Sequence, residues 1–245
     1  MADGVMGKFG FTPDERRRAR KDWLIENPQF VKLEDQLVRL NDFVLVSIAI
    51  RFHPPFRYVL NLNLDVFVPD PPPGTVSAID PGMLVGGASQ QFIFSHSKHT
   101  GAGPFVSGLK ATTAIKESMD GLALDSSNVS PLKEDLSVRD VIGFLEARLP
   151  RQVYRPVSIW ESLAVANFKL AGDAYALGEF ERARGDFALW PEHMRQMAGG
   201  SFEHWRERVG DQLDHQRIND RRVDWMLQQK LKHNVTLKDY RLVER

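Results

Sequence analysis

Arg57-Tyr58-Val59-Leu60-Asn61-Leu62-Asn63-Leu64-Asp65-Val66-Phe67-Val68 is the stretch that decides the fold, because apolar and polar side chains alternate along it. Leucine or valine falls at every second position, and Asn61, Asn63 and Asp65 lie between them. Successive side chains of a β-strand point to opposite faces of the sheet. The alternation therefore predicts a strand over 57–68, in a sheet with one apolar face and one face in water.

Two other segments predict strands beside it. Phe43–Phe52 is rich in valine, isoleucine and phenylalanine, which favour strands. His53-Pro54-Pro55-Phe56 can continue neither a helix nor a central strand, so we expect a turn there and a hairpin between 43–52 and 57–68. A third strand is predicted at Ser89–Ser95, whereas 104–120 fits either a helix or strands.

Two helices are expected before this sheet, covering it. Thr12-Pro13-Asp14-Glu15 offers a capping hydroxyl, a proline at the first helical position and a reciprocal glutamate, so a helix should run to about Glu26. Asn27-Pro28 predicts the start of a second helix. Its apolar stripe would be formed by residues at spacings of three and four, namely Phe30, Leu33, Leu37 and Leu40.

The second half of the chain has the pattern of a helical bundle. Ser137-Val138-Arg139-Asp140 and Ser158-Ile159-Trp160-Glu161 resemble capping boxes, and Ser201 is expected to cap a long charged helix to about residue 232. Shorter helices are predicted at 179–189 and 192–198, with Asp120–Lys133 as a linker. We predict the fold class α+β, with a β-rich half at 1–125 and a helical half at 134–245.

One part of the helical half resembles a helical hairpin of the tetratricopeptide type. Small and aromatic residues recur on two short helices expected on either side of Gly178, at Leu170, Gly172, Ala174, Tyr175, Phe180, Ala183 and Phe187. The proline expected after such a hairpin comes early, as Pro191, and no second copy follows at a period of 34 residues. The resemblance implies an interaction surface, and a generic helical hairpin is the other interpretation.

Composition excludes several classes of site. The chain has no cysteine, which excludes disulfides, thiolate zinc sites and cysteine nucleophiles and fits an intracellular, reducing compartment. Lys+Arg and Asp+Glu are both 32, so no net charge attracts nucleic acid or an anionic membrane. No secretory signal is expected at the N-terminus. The longest apolar run, Phe43–Ile50, is far shorter than the roughly 20 residues of a transmembrane helix.

The sequence contains no complete catalytic motif. Ser89 follows two glycines, but Gln91 stands where a nucleophile elbow needs glycine. The histidines that a metal would need are His53, His96 and His99, of which the last two form a His-x-x-His pair without an evident carboxylate partner. We therefore predict no catalytic residues, metal or cofactor, and keep a metal-dependent hydrolase that uses these histidines as an alternative.

Binding residues are easier to identify. Arg16, Arg17 and Arg20 belong to a run of basic residues that ends at Lys21, beside Trp23, and aromatic residues flanked by arginines are typical of protein interfaces. Trp205 and Trp225 are large for an exposed helix and should dock on the body or on a partner. The leading hypothesis is a non-enzymatic structural or adaptor subunit that binds other proteins in a larger assembly, of unknown oligomeric state. Nucleic-acid binding through Arg16–Lys21 is the other alternative.

Overall fold

The computed structural model describes residues 13–53, 57–69, 85–95, 134–146 and 157–243, and it shows an antiparallel sheet followed by helices. The strands are β1 (Val31–Leu33), β2 (Gln36–Asn41), β3 (Val44–His53), β4 (Arg57–Val66), β5 (Val85–Ser95) and β6 (Asp239–Tyr240). The helices are α1 (Pro13–Glu26), α2 (Val138–Glu146), α3 (Val157–Ala171), α4 (Asp173–Leu189), α5 (Glu192–Met197), α6 (Phe202–Gly210) and α7 (His215–His233). The predicted α+β class is confirmed.

The hairpin predicted around residue 55 is also confirmed. β3 and β4 pair antiparallel from Val44 opposite Val66 to His53 opposite Arg57, and β5 pairs with the other edge of β4. The sheet order is β1-β2-β3-β4-β5. β6 adds to β2 in parallel, because β1 pairs with only the first half of β2 and leaves Leu40 and Asn41 for Asp239 and Tyr240.

The second N-terminal helix, predicted from Phe30, Leu33, Leu37 and Leu40, is wrong. These residues lie in or beside the hairpin β1–β2, whose turn is at Glu34 and Asp35. Glu34 adopts a φ of 50°, a left-handed conformation that reverses the chain where a helix would continue. Leu33 and Leu37 are both buried, but on opposite faces of the sheet and in different core clusters.

The prediction of a sheet face in water is wrong at the end near β2. Val38, Leu40 and Leu45 share this face and pack with Phe67, Trp225 and Leu237, so α7 and the C-terminal segment cover it. The polar residues adapt to burial: Asn63 donates a hydrogen bond to Ser47 Oγ at 3.2 Å, and Asp65 is only 7% exposed. The opposite face packs with α1 and the helical half in one larger core.

The turn of the helical hairpin was predicted at Gly178, but the structure places it at Gly172. Gly172 has φ 82° and ψ −167°, a region that glycine alone adopts readily, and it separates α3 from α4. Gly178 lies inside α4. Trp160 Nε1 donates to Asp186 Oδ2 at 2.9 Å, which links the two helices.

Helix caps explain where the remaining elements begin. Ser137 and Asp140 form the predicted reciprocal cap of α2, and Ser201 accepts from His204 N at the start of α6. The long helix predicted from Ser201 is interrupted, because Asp214 caps a new helix by accepting from Arg217 N. The predicted linker 120–133 and the ambiguous segment 104–120 lie outside the described residues, so the domain division at 125 stays a prediction.

Candidate interaction surfaces

The basic run lies on α1, and two of its described arginines form ion pairs with aspartates. Arg17 contacts Asp14 at 3.4 Å, and both side chains are largely exposed. Arg20 contacts Asp35, in the β1–β2 turn, at 3.7 Å and is mostly buried. Arg16 belongs to the same helix, but its side chain lies outside the described residues. The predicted cluster is therefore split between solvent and the junction of α1 with the β-hairpin.

A cavity of about 440 Å³ lies at this junction. The described residues that line it are four cations and two apolar residues: Pro13, Arg17, Arg20, Lys21, Leu24 and Lys32. We call it the basic cavity. A second cavity, of about 330 Å³, is lined by balanced charges that include Arg217, Asp220 and Asp224. Among the described lining residues, the basic cavity differs from the second cavity by its excess of positive charge.

The three tryptophans predicted to mediate contacts are buried in the chain itself. Trp23 packs edge-on against Phe30 at 5.0 Å between ring centroids, and Trp225 packs against Phe67 at 5.7 Å. Trp205 is fully buried among aromatic residues that include Phe180 and Trp190. The sequence left open whether Trp205 and Trp225 dock on the body of the protein or on a partner, and the structure shows that both dock on the body. Trp23 likewise offers its indole to the core and not to a partner.

The buried carboxylate of Glu161 was missed by the sequence analysis. The sequence suggested a helix cap at this position, but α3 begins at Val157, so Glu161 lies inside the helix and points into the bundle. Its Oε1 accepts from Trp205 Nε1 at 3.0 Å and from Arg208 Nη2 at 2.8 Å. Glu161 therefore links α3 to α6.

A buried guanidinium stands in the sheet. Arg39 is 1% exposed, donates from Nε to Asn41 Oδ1 at 2.7 Å and lies over the Phe30 ring at 5.1 Å. Burial lowers the pKa of Arg39 to about 10, while the charges of Tyr240 and Glu134 oppose that shift. The group remains charged at neutral pH, and its contacts include Asn41 of the same strand and the ring of Phe30.

The outer side of α7 carries an apolar row in water. Val223, Leu227 and Leu231 are 39%, 53% and 85% exposed. They recur every four residues, on the side of the helix opposite to the buried Ile218, Trp225 and Gln229. We call these three residues the outer row. A helix that already buries one face normally exposes polar residues on the other, so exposed apolar side chains at this spacing are unusual.

The histidines of the alternative metal site are not brought together by anything that the structure describes. His53 ends β3, and its side chain, like His96 and His99, lies outside the described residues. In the described ranges, no group of three metal-ligating side chains is close enough to hold an ion. None of the described helices is long and apolar enough to span a bilayer.

Comparison with known proteins returned no family model, no curated relative and no solved structure that matches this chain.

Proposed function

We propose that this chain is a non-enzymatic adaptor subunit that binds another protein through the outer row of α7. The observation that carries the proposal is the exposure of Leu227 and Leu231 on a helix whose opposite face is fixed to the sheet by Trp225. Exposed leucines that repeat along one helix face are typical of helix-in-groove and helix–helix recognition. The lack of cysteine is compatible with an assembly inside the cell.

The chemistry of the partner follows from the charges beside the outer row. The last turn of α7 contains Lys230, Lys232 and His233, and His233 lies 3.6 Å from Glu34. Lys230 is the lysine on the outer-row side, three residues after Leu227, and the exposed Asp224 comes three residues before Leu227. A partner that covers Leu227 and Leu231 therefore also meets Lys230 at the C-terminal end of α7 and Asp224 one turn before Leu227. The favoured occupant is an amphipathic helix of a different protein, whose leucines meet the outer row and whose acidic residues meet Lys230.

The test combines crosslinking with substitution. A photo-crosslinking amino acid at Leu227 in the full chain should capture one partner, identified by mass spectrometry, through an acidic segment. The double substitution Leu227→Ser with Leu231→Ser should abolish that product. Leu177→Ser with Leu189→Ser is the matched control, because these leucines are similarly exposed, at 52% and 55%, on a different helix.

Three outcomes would overturn the proposal. The first is a crosslink to a second copy of this chain, which light scattering would show as a dimer. The second is loss of the product in the control variant as well. The third is capture of the same mixture of proteins from position 227 and from a control position such as Tyr175, which is 58% exposed.

A further inference from the structure

The basic cavity carries a second inference, which rests on residues different from those of the outer row. Of its four cations, Arg17 and Arg20 have acidic partners, and both partners are highly exposed: Asp14 at 82% and Asp35 at 95%. The Arg17–Asp14 pair is exposed on both sides and contributes only about 0–1 kcal/mol, so a ligand can displace it. Lys21 and Lys32 form no ion pair with another side chain that the structure describes. Among the described lining residues, the cavity thus brings together four cations, of which Lys21 and Lys32 form no ion pair with a described side chain.

Its position explains why the charges converge. Arg17, Arg20, Lys21 and Leu24 are spaced by three and four residues, so α1 presents them on one side. Lys32 comes from β1 and faces them across the cavity. The cations of the basic cavity therefore come from both α1 and β1 and surround one space, whereas cations along an isolated helix would only form a row.

We propose that the basic cavity binds a phosphate monoester carried by a small ligand with an apolar part. Guanidinium groups match two phosphate oxygens at once, and the ammonium groups add point charges. Leu24 and Pro13 supply apolar contact, and a volume of about 440 Å³ exceeds the needs of bare phosphate. A nucleotide and a phospholipid headgroup share this chemistry.

A nucleic acid fits these observations less well. Polyanions are held by cations that follow the backbone over an extended path. Here the four cations line one compact space, and the balance of 32 basic against 32 acidic residues provides no long-range attraction. The small ligand is therefore the favoured occupant, and an oligonucleotide is one outcome of the test.

The experiment uses the full chain and four probes. Calorimetry measures binding of inorganic phosphate, adenosine monophosphate and an oligodeoxythymidine of about ten nucleotides. Flotation measures binding to phosphatidylcholine vesicles with and without phosphatidic acid. The variant is Lys21→Gln with Lys32→Gln, because both side chains are exposed and their removal leaves the core intact. Lys230→Gln with Lys232→Gln is the control with the same loss of charge.

We expect adenosine monophosphate or the phosphatidic acid vesicles to bind, and the Lys21/Lys32 variant to bind at least about tenfold more weakly, with the control within about twofold of wild type. Binding of adenosine monophosphate would identify a soluble nucleotide as the ligand, and binding of the vesicles would identify a phospholipid headgroup. The proposal is overturned if neither adenosine monophosphate nor the phosphatidic acid vesicles bind, or if inorganic phosphate binds as tightly as these two probes. It is also overturned if the Lys230/Lys232 control loses as much affinity as the Lys21/Lys32 variant, or if the oligonucleotide binds about tenfold more tightly than adenosine monophosphate and the vesicles. The outer-row variants leave this binding unchanged, so the two proposals fail separately.

Discussion

The indole nitrogen of Trp205 donates a hydrogen bond of 3.0 Å to Oε1 of Glu161, across 44 residues of sequence. Both side chains are fully buried, and Arg208 donates to the same oxygen at 2.8 Å. A buried carboxylate is tolerated only when hydrogen bonds and opposite charge replace the water that it loses. The packing of α6 on α3 therefore depends on a polar contact inside an aromatic cluster.

Trp205→Phe should lower the free energy of unfolding by about 1–3 kcal/mol beyond the loss of ring volume, because Glu161 loses a donor in a buried site. Urea unfolding measures this change. Trp225→Phe is the matched control, since its indole nitrogen has no hydrogen-bond partner among the described residues. Equal losses in the two variants would show that the Glu161 contact contributes nothing.

Asn41→Leu should destabilise the chain more than Arg39→Met does. Asn41 accepts from the buried Arg39 Nε at 2.7 Å, and removing the acceptor costs about 1.5–3 kcal/mol when the donor is charged. Arg39→Met removes the buried charge and retains much of the apolar volume, so it leaves only the neutral amide of Asn41 without its partner, which costs less than leaving a buried charge without one. The reverse order of urea midpoints would contradict this account.

Gly172→Ala and Gly178→Ala should have opposite effects. Gly172 has φ 82° and ψ −167°, so a side chain there is strained by about 1–3 kcal/mol although nothing lies within 4 Å of an added Cβ. Gly178 lies inside α4 and its added Cβ also meets open space, so alanine should stabilise the helix by about 0.4–1 kcal/mol. Thermal unfolding distinguishes the two, and stabilisation by Gly172→Ala would contradict the position of the turn.

Arg222→Gln should destabilise the chain near neutral pH and much less in acid. Arg222 forms an ion pair with Asp239 and lies 3.9 Å from Asp42, so it holds two carboxylates together. Burial raises the pKa of Asp239, while Arg222 opposes that rise. The raised pKa means that Asp239 stabilises the fold most below the ordinary aspartate value of about 3.9, and that this contribution is lost as the pH rises through the folded pKa.

Removing Arg222 raises the pKa of Asp239 further, so the variant loses more stability than wild type as the carboxylates ionise. Urea unfolding of both proteins from about pH 3 to pH 7 should show a difference that grows with pH. A difference that stays constant over this range would show that Arg222 acts through packing alone.

The sequence predicted those elements whose signals are local. The alternation of apolar and polar residues identified β4, and the capping residues Ser137 and Ser201 correctly predicted where α2 and α6 begin. It failed at 28–40, because spacings of three and four also arise when two short strands fold across a turn. The break before α7 had a signal, since Asp214 is a favoured capping residue.

The interaction surfaces were predictable only in part. The arginines of α1 were recognised, but Lys32 was not, because its segment had been assigned to a helix. The outer row could have been found from the spacing of Val223, Leu227 and Leu231 opposite Ile218 and Trp225. The burial of Glu161 depends on α6, which is more than 40 residues distant, and no local pattern reports it.

The pairing of β6 with β2 has a consequence for the order in which the protein forms during translation. Asp42 N–H binds the carboxylate of Asp239, 197 residues later, and Trp225 covers the same side of the sheet. A ribosome therefore releases strands β1 to β5 before α7 and β6, which cover Val38, Leu40 and Leu45 and pair with β2, have been made. Until then the nascent chain exposes an apolar sheet face and an unpaired strand edge. Chaperones should therefore stay bound to the nascent chain during synthesis until β6 has emerged.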